Sequence, residues 1–233
     1  VHRPPPDADI QSLIEGRHPA QQRLAFEELL AQQLSLLELR NEFRAELSTA
    51  FDLSTQLVPK YLKRLPFTLT NAQTQAYKTI ASDLNKTVAM LRLIQGDVGS
   101  GKTVVAALAS LQAIESGYQV AIMAPTELLA EQHYKNFSSW LDPLGIDVVF
   151  LTGKLKKSIR VNIEARLLDK TPVVAIGTHA LFQDSVSFAK LGLIVIDEQH
   201  RFGVHQRLAL LEKGQQHDKY PHQLIMTATP IPR

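Results

Sequence analysis

The chain has 233 residues, of which 45% are hydrophobic and 21% charged, and its 25 Lys and Arg nearly balance its 23 Asp and Glu. This composition supports a buried core and excludes the intrinsically disordered and fibrous classes. The absence of cysteine excludes a disulfide scaffold, a thiol nucleophile and a thiolate metal site. Because no apolar core follows Arg3 and no apolar run approaches the ~18 residues of a membrane span, we expect a soluble, cytoplasmic protein without a signal peptide.

Residues 1–65 predict a helical connector or linker. The chain begins polar and rich in proline, and Pro19 stands where the first turn of a helix favours proline. Residues 21–50 contain no Gly or Pro, and apolar side chains recur there at spacings of three and four: Phe26, Leu29, Leu30, Leu34, Leu37, Phe43 and Leu47. This pattern predicts one long amphipathic helix or two stacked ones, whose apolar stripe is either a packing face or a coiled-coil partner site.

From residue 66 onwards, short apolar runs alternate with helical stretches. An apolar helix is predicted over residues 102–115, and strands are predicted over residues 88–94, 120–124, 148–151, 173–176, 193–196 and 224–226. This alternation favours parallel βαβ units with right-handed crossovers. We therefore predict an α/β domain over residues 66–233, with a central, mostly parallel sheet flanked by helices. Ligands of such sheets bind at the carboxyl ends of the strands.

A glycine-rich segment between the first predicted strand and its helix matches the phosphate-binding pattern GxxxxGK[ST]. It reads Gly96-Asp97-Val98-Gly99-Ser100-Gly101-Lys102-Thr103. Glycines let successive backbone N–H groups surround phosphate oxygens, and the helix N-terminus adds a positive partial charge. Lys102 is predicted to reach the β- and γ-phosphates, and the Thr103 hydroxyl to bind Mg²⁺. We therefore predict that these eight residues bind ATP; an ordinary glycine-rich turn is the alternative.

An acidic pair follows the apolar run 193–196. Four apolar residues before Asp197 and Glu198 predict a buried strand that delivers Asp197 to the carboxyl edge of the sheet, beside the phosphate loop. Asp197 is predicted to hold Mg²⁺ through water, and Glu198 to deprotonate or orient the attacking water. Such a pair alone is also typical of a helix N-terminus; its occurrence with a phosphate loop favours nucleotide hydrolysis.

The acidic pair belongs to a longer string that resembles motif II of the superfamily 2 helicases. The string is Asp197-Glu198-Gln199-His200, followed by residues 201–204. Gln199 makes it more similar to the helicases that remodel branched DNA than to the transcription-repair coupling translocases, which tend to carry a second Glu there. The resemblance implies that residues 66–233 are a RecA-like P-loop NTPase lobe preceded by an α-helical segment.

Four further segments resemble motifs of the same superfamily. They are an adenine-reading segment at residues 67–70 with Gln73, motif Ia at residues 124–130, a later DNA-facing motif at residues 177–181, and motif III at residues 226–233. The Gln73 amide both donates and accepts hydrogen bonds, which suits the two adjacent edge groups of adenine. Isolated threonines after strands would be helix N-caps by default, so nucleic-acid contacts there depend on the resemblance.

The resemblance implies a role for each matching residue. Catalysis is assigned to Lys102, Asp197, Glu198 and His200, and adenine contact to Phe67 and Gln73. Nucleic-acid contact is assigned to Pro125, Thr126, Glu127, Gly153, Thr178 and His179. Coupling of hydrolysis to movement is assigned to Arg201, Thr227, Ala228 and Thr229. The other histidines, including His133 and His222, show no metal-ligand spacing and are interpreted as structural or surface residues.

The sequence stops after the motif III-like segment, so we expect it to be the first lobe of a larger, monomeric helicase. The resemblance implies a second RecA-like lobe and a wedge domain in the same parent chain. The isolated lobe is expected to bind ATP weakly and hydrolyse it poorly, because an arginine of the second lobe would stabilise the transferring phosphate. In the parent it is expected to act on stalled forks and Holliday junctions in DNA repair and recombination. The alternatives are a transcription-repair coupling translocase, a P-loop kinase and a non-hydrolysing ATP-binding module.

Overall fold

The computed structural model describes residues 18–24, 26–27, 30, 47–183, 185–197 and 219–228. By its contacts the chain divides into two compact units, residues 1–45 and 46–233. In the first unit, residues 19–24 are helical, which confirms the predicted start of a helix at Pro19. The second unit includes residues 47–65. The predicted division into a helical connector over residues 1–65 and a lobe over residues 66–233 stays a prediction.

Six parallel strands form one sheet in the second unit. They are β1 (Leu91–Gln95), β2 (Gln119–Met123), β3 (Val148–Leu151), β4 (Val174–Gly177), β5 (Leu191–Asp197) and β6 (His222–Thr227). Their order across the sheet is β1-β6-β5-β2-β4-β3, and every neighbouring pair is parallel. The predicted α/β architecture is confirmed. All six carboxyl ends lie at one edge, so the loops that follow the strands meet there.

Helices cover this sheet. They are α1 (Leu57–Arg64), α2 (Asn71–Leu84), α3 (Lys102–Glu115), α4 (Glu127–Leu141) and α5 (Lys157–Leu168), with short 3₁₀ turns at Asp142–Leu144 and His179–Phe182. Helix α3 begins and ends where the sequence predicts, and every side chain from Val104 to Ile114 is buried. No helix within the described ranges is long and apolar enough to cross a membrane.

The sheet carries a hydrophobic core on each face, because successive side chains of a strand point to opposite faces. Val120, Leu193 and Val195 belong to the core that includes α2, α3 and part of α4. Ala121 and Ile194 belong to the opposite core, which includes Leu167 of α5. Strands buried on both faces explain why the predicted strands read as continuous apolar runs rather than as alternating patterns.

The predicted helix over residues 21–50 is wrong at its end. Residues 47–50 are not helical, and Leu47 forms isolated bridges with Val88 and Lys219. Ser48 explains the difference, since its N–H donates to the Thr87 carbonyl (2.9 Å) and its hydroxyl to the Tyr220 carbonyl (2.7 Å). These long-range bonds replace the local bonds of a helix.

A buried histidine joins this segment to the sheet. His222, the first residue of β6, is fully buried. Its Nδ1 accepts from the Met90 N–H (3.0 Å), which places the ring proton on Nε2, and Nε2 donates to the Thr49 carbonyl (2.9 Å) and lies 3.1 Å from Ser48 Oγ. The Phe51 ring packs edge-on against the imidazole at 4.8 Å. His222 therefore stabilises the fold as a neutral side chain.

Stability should fall in acid through His222. Burial lowers the pKa of His222 below its ordinary value, although hydrogen bonding by Thr49 and the charge of Asp83 act in the opposite direction. Unfolded histidine titrates near ~6.5, so the unfolded chain binds the proton first as the pH falls. The contribution of His222 is complete above that value and is lost below it, as the pH approaches the lower folded pKa. In thermal unfolding from pH 8 to pH 5, we expect the stability difference between the wild-type protein and His222→Asn to shrink; parallel curves would contradict this role.

Candidate functional site

The glycine-rich segment lies at the carboxyl edge of the sheet, between β1 and α3. The N–H of Gly96 donates to the carbonyl of Thr227 at the end of β6 (3.2 Å), so the segment begins beside the motif III-like residues. Gly99 and Gly101 have φ angles of 82° and 81°, which are left-handed conformations that favour glycine. Gly101 directly precedes α3, whose first-turn N–H groups face the segment. This geometry is that of an anion-binding loop.

Lys102 folds back over this loop. Its Nζ donates to the carbonyls of Gly96 (2.6 Å) and Asp97 (2.9 Å), so the ammonium group lies within the loop. A phosphate would compete for the same ammonium protons with stronger, charge-assisted hydrogen bonds. Val98 is 91% exposed, so its side chain packs against little of the loop. Its contribution to the loop is therefore its backbone.

The segment predicted to read adenine, residues 67–70 with Gln73, contacts the same loop. Thr70 caps α2, accepting from the Gln73 N–H (3.2 Å), while Gln73 Oε1 accepts from the Thr70 N–H (2.9 Å). Gln73 Nε2 donates to the Ser100 carbonyl (2.9 Å). A Cβ on Gly101 would displace the Gln73 amide from this contact, while the positive φ of residue 101 is what favours glycine there. The oxygen and the nitrogen of the Gln73 side-chain amide each retain capacity for one more hydrogen bond. Phe67 lies before the cap, with 46% of its surface exposed.

Asp197 ends β5 at the same edge. Strands β1 and β5 flank β6, and Asp197 is in register with Met226 while Gln95 is in register with Thr227. The Asp197 carboxylate and the phosphate loop therefore stand on the same edge of the sheet, as the sequence predicts. Thr103 and Asp197 both offer oxygen atoms, the ligands that Mg²⁺ prefers. The described part of the chain contains no group of three or more His, Asp or Glu side chains that could hold a metal ion by itself.

A contact that sequence reasoning missed occupies this carboxylate. His133 Nε2, on α4, lies 2.7 Å from Asp197 Oδ2, and both side chains are largely buried. The two residues are 64 positions apart. No local spacing could therefore reveal the contact; the only sequence signal is that His133 lies seven positions after Thr126, on the helix that follows β2.

The residues predicted to contact nucleic acid follow three adjacent strands. Pro125 and Thr126 follow β2, Gly153 follows β3, and Thr178 and His179 follow β4; these strands form the half of the sheet away from the phosphate loop. The structure therefore brings them to one edge.

Three of the residues predicted to contact nucleic acid also have local structural roles. Thr126 caps α4, since its Oγ1 accepts from the Leu129 N–H (3.3 Å). Thr178 is buried, and its carbonyl accepts from the Leu181 N–H (3.0 Å). Glu127 forms an ion pair with Lys154 (2.5 Å). The default N-cap role is thus real for Thr126, while His179, Gly153 and the Thr126 side chain are exposed at this edge.

Several predicted site residues lie outside the described ranges: Glu198, His200, Arg201 and Thr229. Of the residues predicted to couple hydrolysis to movement, Thr227 and Ala228 are described, and Thr227 is buried at the end of β6, where its carbonyl accepts from the Gly96 N–H. The carboxyl edge therefore brings together the phosphate loop, Gln73, Asp197 and Thr227 on one half of the sheet, and the loops after β2, β4 and β3 on the other.

Comparison with known sequences gives a family for this arrangement. Residues 70–233 match the profile of the family described as DEAD/DEAH box helicase. Over its full length the chain is 55% identical to proteins described as ATP-dependent DNA helicase RecG from Pasteurella multocida and from Escherichia coli strain K12. It spans 34% of the length of each of these relatives.

Solved structures agree with this family. A structure described as RecG bound to a three-way DNA junction has a TM-score of 0.79 and 43% identity, covering 91% of this chain and 28% of that one. A structure of Dbp5 from S. cerevisiae has a TM-score of 0.57 and 16% identity, covering 76% of this chain and 47% of that one; it shares the fold alone. The predicted RecA-like helicase lobe is confirmed.

Proposed function

Because this chain belongs to the DEAD/DEAH box helicase family, we propose that it is the ATP-binding motor lobe of a helicase that remodels branched DNA. The observation that carries this proposal is the convergence of the phosphate loop and the Asp197 carboxylate at one edge, on the two strands that flank β6. The relatives described as ATP-dependent DNA helicase RecG, one of them bound to a three-way junction, support the substrate class.

The nucleotide half of the edge would bind ATP with Mg²⁺. The loop of residues 96–103 would surround the phosphates, and the Lys102 ammonium would leave its two carbonyl partners for the β- and γ-phosphates. Gln73 would read the adenine edge while still contacting the loop through Ser100. Thr103 and Asp197 would hold the Mg²⁺, which neutralises charge that develops on the phosphates.

The other half would contact DNA. The loops that carry Pro125, Thr126, Glu127, Gly153, Thr178 and His179 would meet the phosphate backbone, where exposed hydroxyl groups and backbone N–H groups fix the position of a duplex without reading its sequence. Thr227, Ala228 and Thr229 would link the two halves, since Thr227 already contacts Gly96 of the phosphate loop. Arg201 and His200 would join this link beside Glu198. A second lobe and a wedge domain would complete a monomeric, cytoplasmic motor.

Substitution of Glu198 tests the proposed function. In the complete protein, we expect Glu198→Gln to lower ATP turnover by about 10²–10⁴-fold, because an amide cannot accept the proton of the attacking water. Binding of ATP and of a three-way DNA junction should persist, so ATP stays trapped on the protein. The measurements are release of inorganic phosphate, and retention of labelled ATP and junction on a filter.

The control for this test is Glu131→Gln, which alters an exposed acid of α4 paired with Lys135 and should leave turnover unchanged. Unchanged turnover in Glu198→Gln would refute the assigned base. Equal stimulation of the wild-type ATPase by linear duplex and by the junction would count against branched DNA as the substrate.

A further inference from the structure

The ring of His133 has one hydrogen-bond partner among the described residues, and it is the carboxylate expected to hold the metal. Nε2 lies 2.7 Å from Asp197 Oδ2, and the side chains of His133 and Asp197 are only 8% and 13% exposed. The other ring nitrogen, Nδ1, is buried and has no partner within the described part of the chain. The ring is therefore held by packing and directed at one oxygen.

The direction of this hydrogen bond follows from the chemistry of the two groups. An ionised carboxylate only accepts, so the proton in the contact belongs to Nε2. Asp197 follows Val195 by two residues and so projects to the same face of β5, which is the face of the core that includes Phe137 of α4. His133 lies one turn before Phe137 on that helix, so its ring is on the face of the sheet to which the Asp197 carboxylate projects.

One oxygen of Asp197 is thus fixed, and no residue within the described ranges hydrogen-bonds to the other. An aspartate at the end of a strand otherwise rotates about two side-chain bonds, and each of its orientations presents the oxygens differently. A hydrogen bond from a buried donor selects one orientation, as the outer partners of metal ligands commonly do.

We propose that His133 is a positioning residue for the magnesium site: its Nε2–H holds Oδ2 of Asp197, so that Oδ1 serves the metal or its water. This inference rests on the proposed function. The sequence motif assigns the carboxylate, whereas the residue that orients it comes from a helix with no part in that motif. Because Thr126 caps α4, the orientation of the metal ligand would depend on the same helix whose first residues are predicted to meet DNA.

The test is a Mg²⁺ titration of nucleotide binding by the complete protein, with a fluorescent ATP analogue as the probe. We expect His133→Leu and His133→Phe, which remove the donor, to raise the Mg²⁺ concentration at half-saturation by about 10–100-fold. His133→Gln places an amide N–H where Nε2 stands and should keep that concentration close to the wild-type value. Binding of the analogue without Mg²⁺ should be the same in all variants.

The controls separate this inference from a general loss of stability. His222→Asn perturbs a second buried histidine, at the opposite edge of the sheet, and should lower thermal stability without changing the Mg²⁺ titration. A wild-type titration in both donor-free variants would overturn the inference, as would an equal loss in His133→Gln. If Asp197→Asn and Lys102→Ala also titrated like the wild-type protein, the proposed function itself would fail.

Discussion

Replacement of Lys102 by alanine is expected to lower the ATP turnover of the complete protein by about 10²–10³-fold, the range typical for removal of one preorganised electrostatic group. The ammonium lies inside the phosphate loop, 2.6 Å and 2.9 Å from two loop carbonyls. It is therefore poised to neutralise charge that grows on the transferred phosphate. Steady-state release of inorganic phosphate, with and without a three-way junction, measures the change.

The matched control for this substitution is Lys60→Ala. Lys60 is an exposed lysine of α1, so its loss should leave turnover and ATP affinity unchanged. If Lys102→Ala retained turnover within about threefold of the wild-type rate, a difference of less than ~1 kcal/mol, the loop would not act as a phosphate-binding site.

Gly177→Ala is expected to destabilise the fold by at least about 2 kcal/mol, at the upper end of overpacking effects. A Cβ at residue 177 would stand 2.0 Å from the Leu151 carbonyl oxygen and 3.1 Å from Leu181 Cγ. The first of these atoms is backbone of the paired strand β3, so it cannot rotate away as a side chain would. Relief requires that β3 and β4 separate near the end of the sheet. Urea unfolding followed by far-UV circular dichroism measures the loss.

Gly153→Ala is the matched control, because a Cβ at that position would meet no atom within 4 Å. Its unfolding midpoint should match that of the wild-type protein. Equal midpoints for Gly177→Ala and Gly153→Ala would show that the β3–β4 edge adapts to an added methyl group, contrary to the close packing of protein interiors.

The phosphate loop was predictable because its chemistry depends on consecutive residues. One short segment contains every feature that the prediction needs. These are the strand before Gly96, the glycines with positive φ at residues 99 and 101, and the helix that begins at Lys102. The inner strands β2 and β4 were likewise recognisable as apolar runs, since a sheet covered on both faces buries every side chain of these two strands. The ends of the predicted strands moved by up to three residues, as at β1, because the sequence marks strand ends weakly.

The end of the first predicted helix was not predictable. Its apolar spacing continues to Leu47, yet residues 47–50 are not helical because Ser48 and Thr49 bond to partners near residue 87 and around residue 222. Side-chain hydroxyl groups that bond to distant backbone compete with local helical bonds. No window of sequence around residue 48 contains those partners.

Local sequence alone determined the nucleotide chemistry proposed for this protein, because a phosphate-binding pattern and an acidic pair after an apolar run are properties of a few adjacent residues. Only the tertiary structure decided which distant side chains complete that chemistry. The strand order places β6 between the phosphate loop and Asp197, and the packing of α4 brings His133 to the carboxylate. Contacts of this kind depend on how helices and strands pack across the sheet, and periodicity reports only which face of each element is apolar.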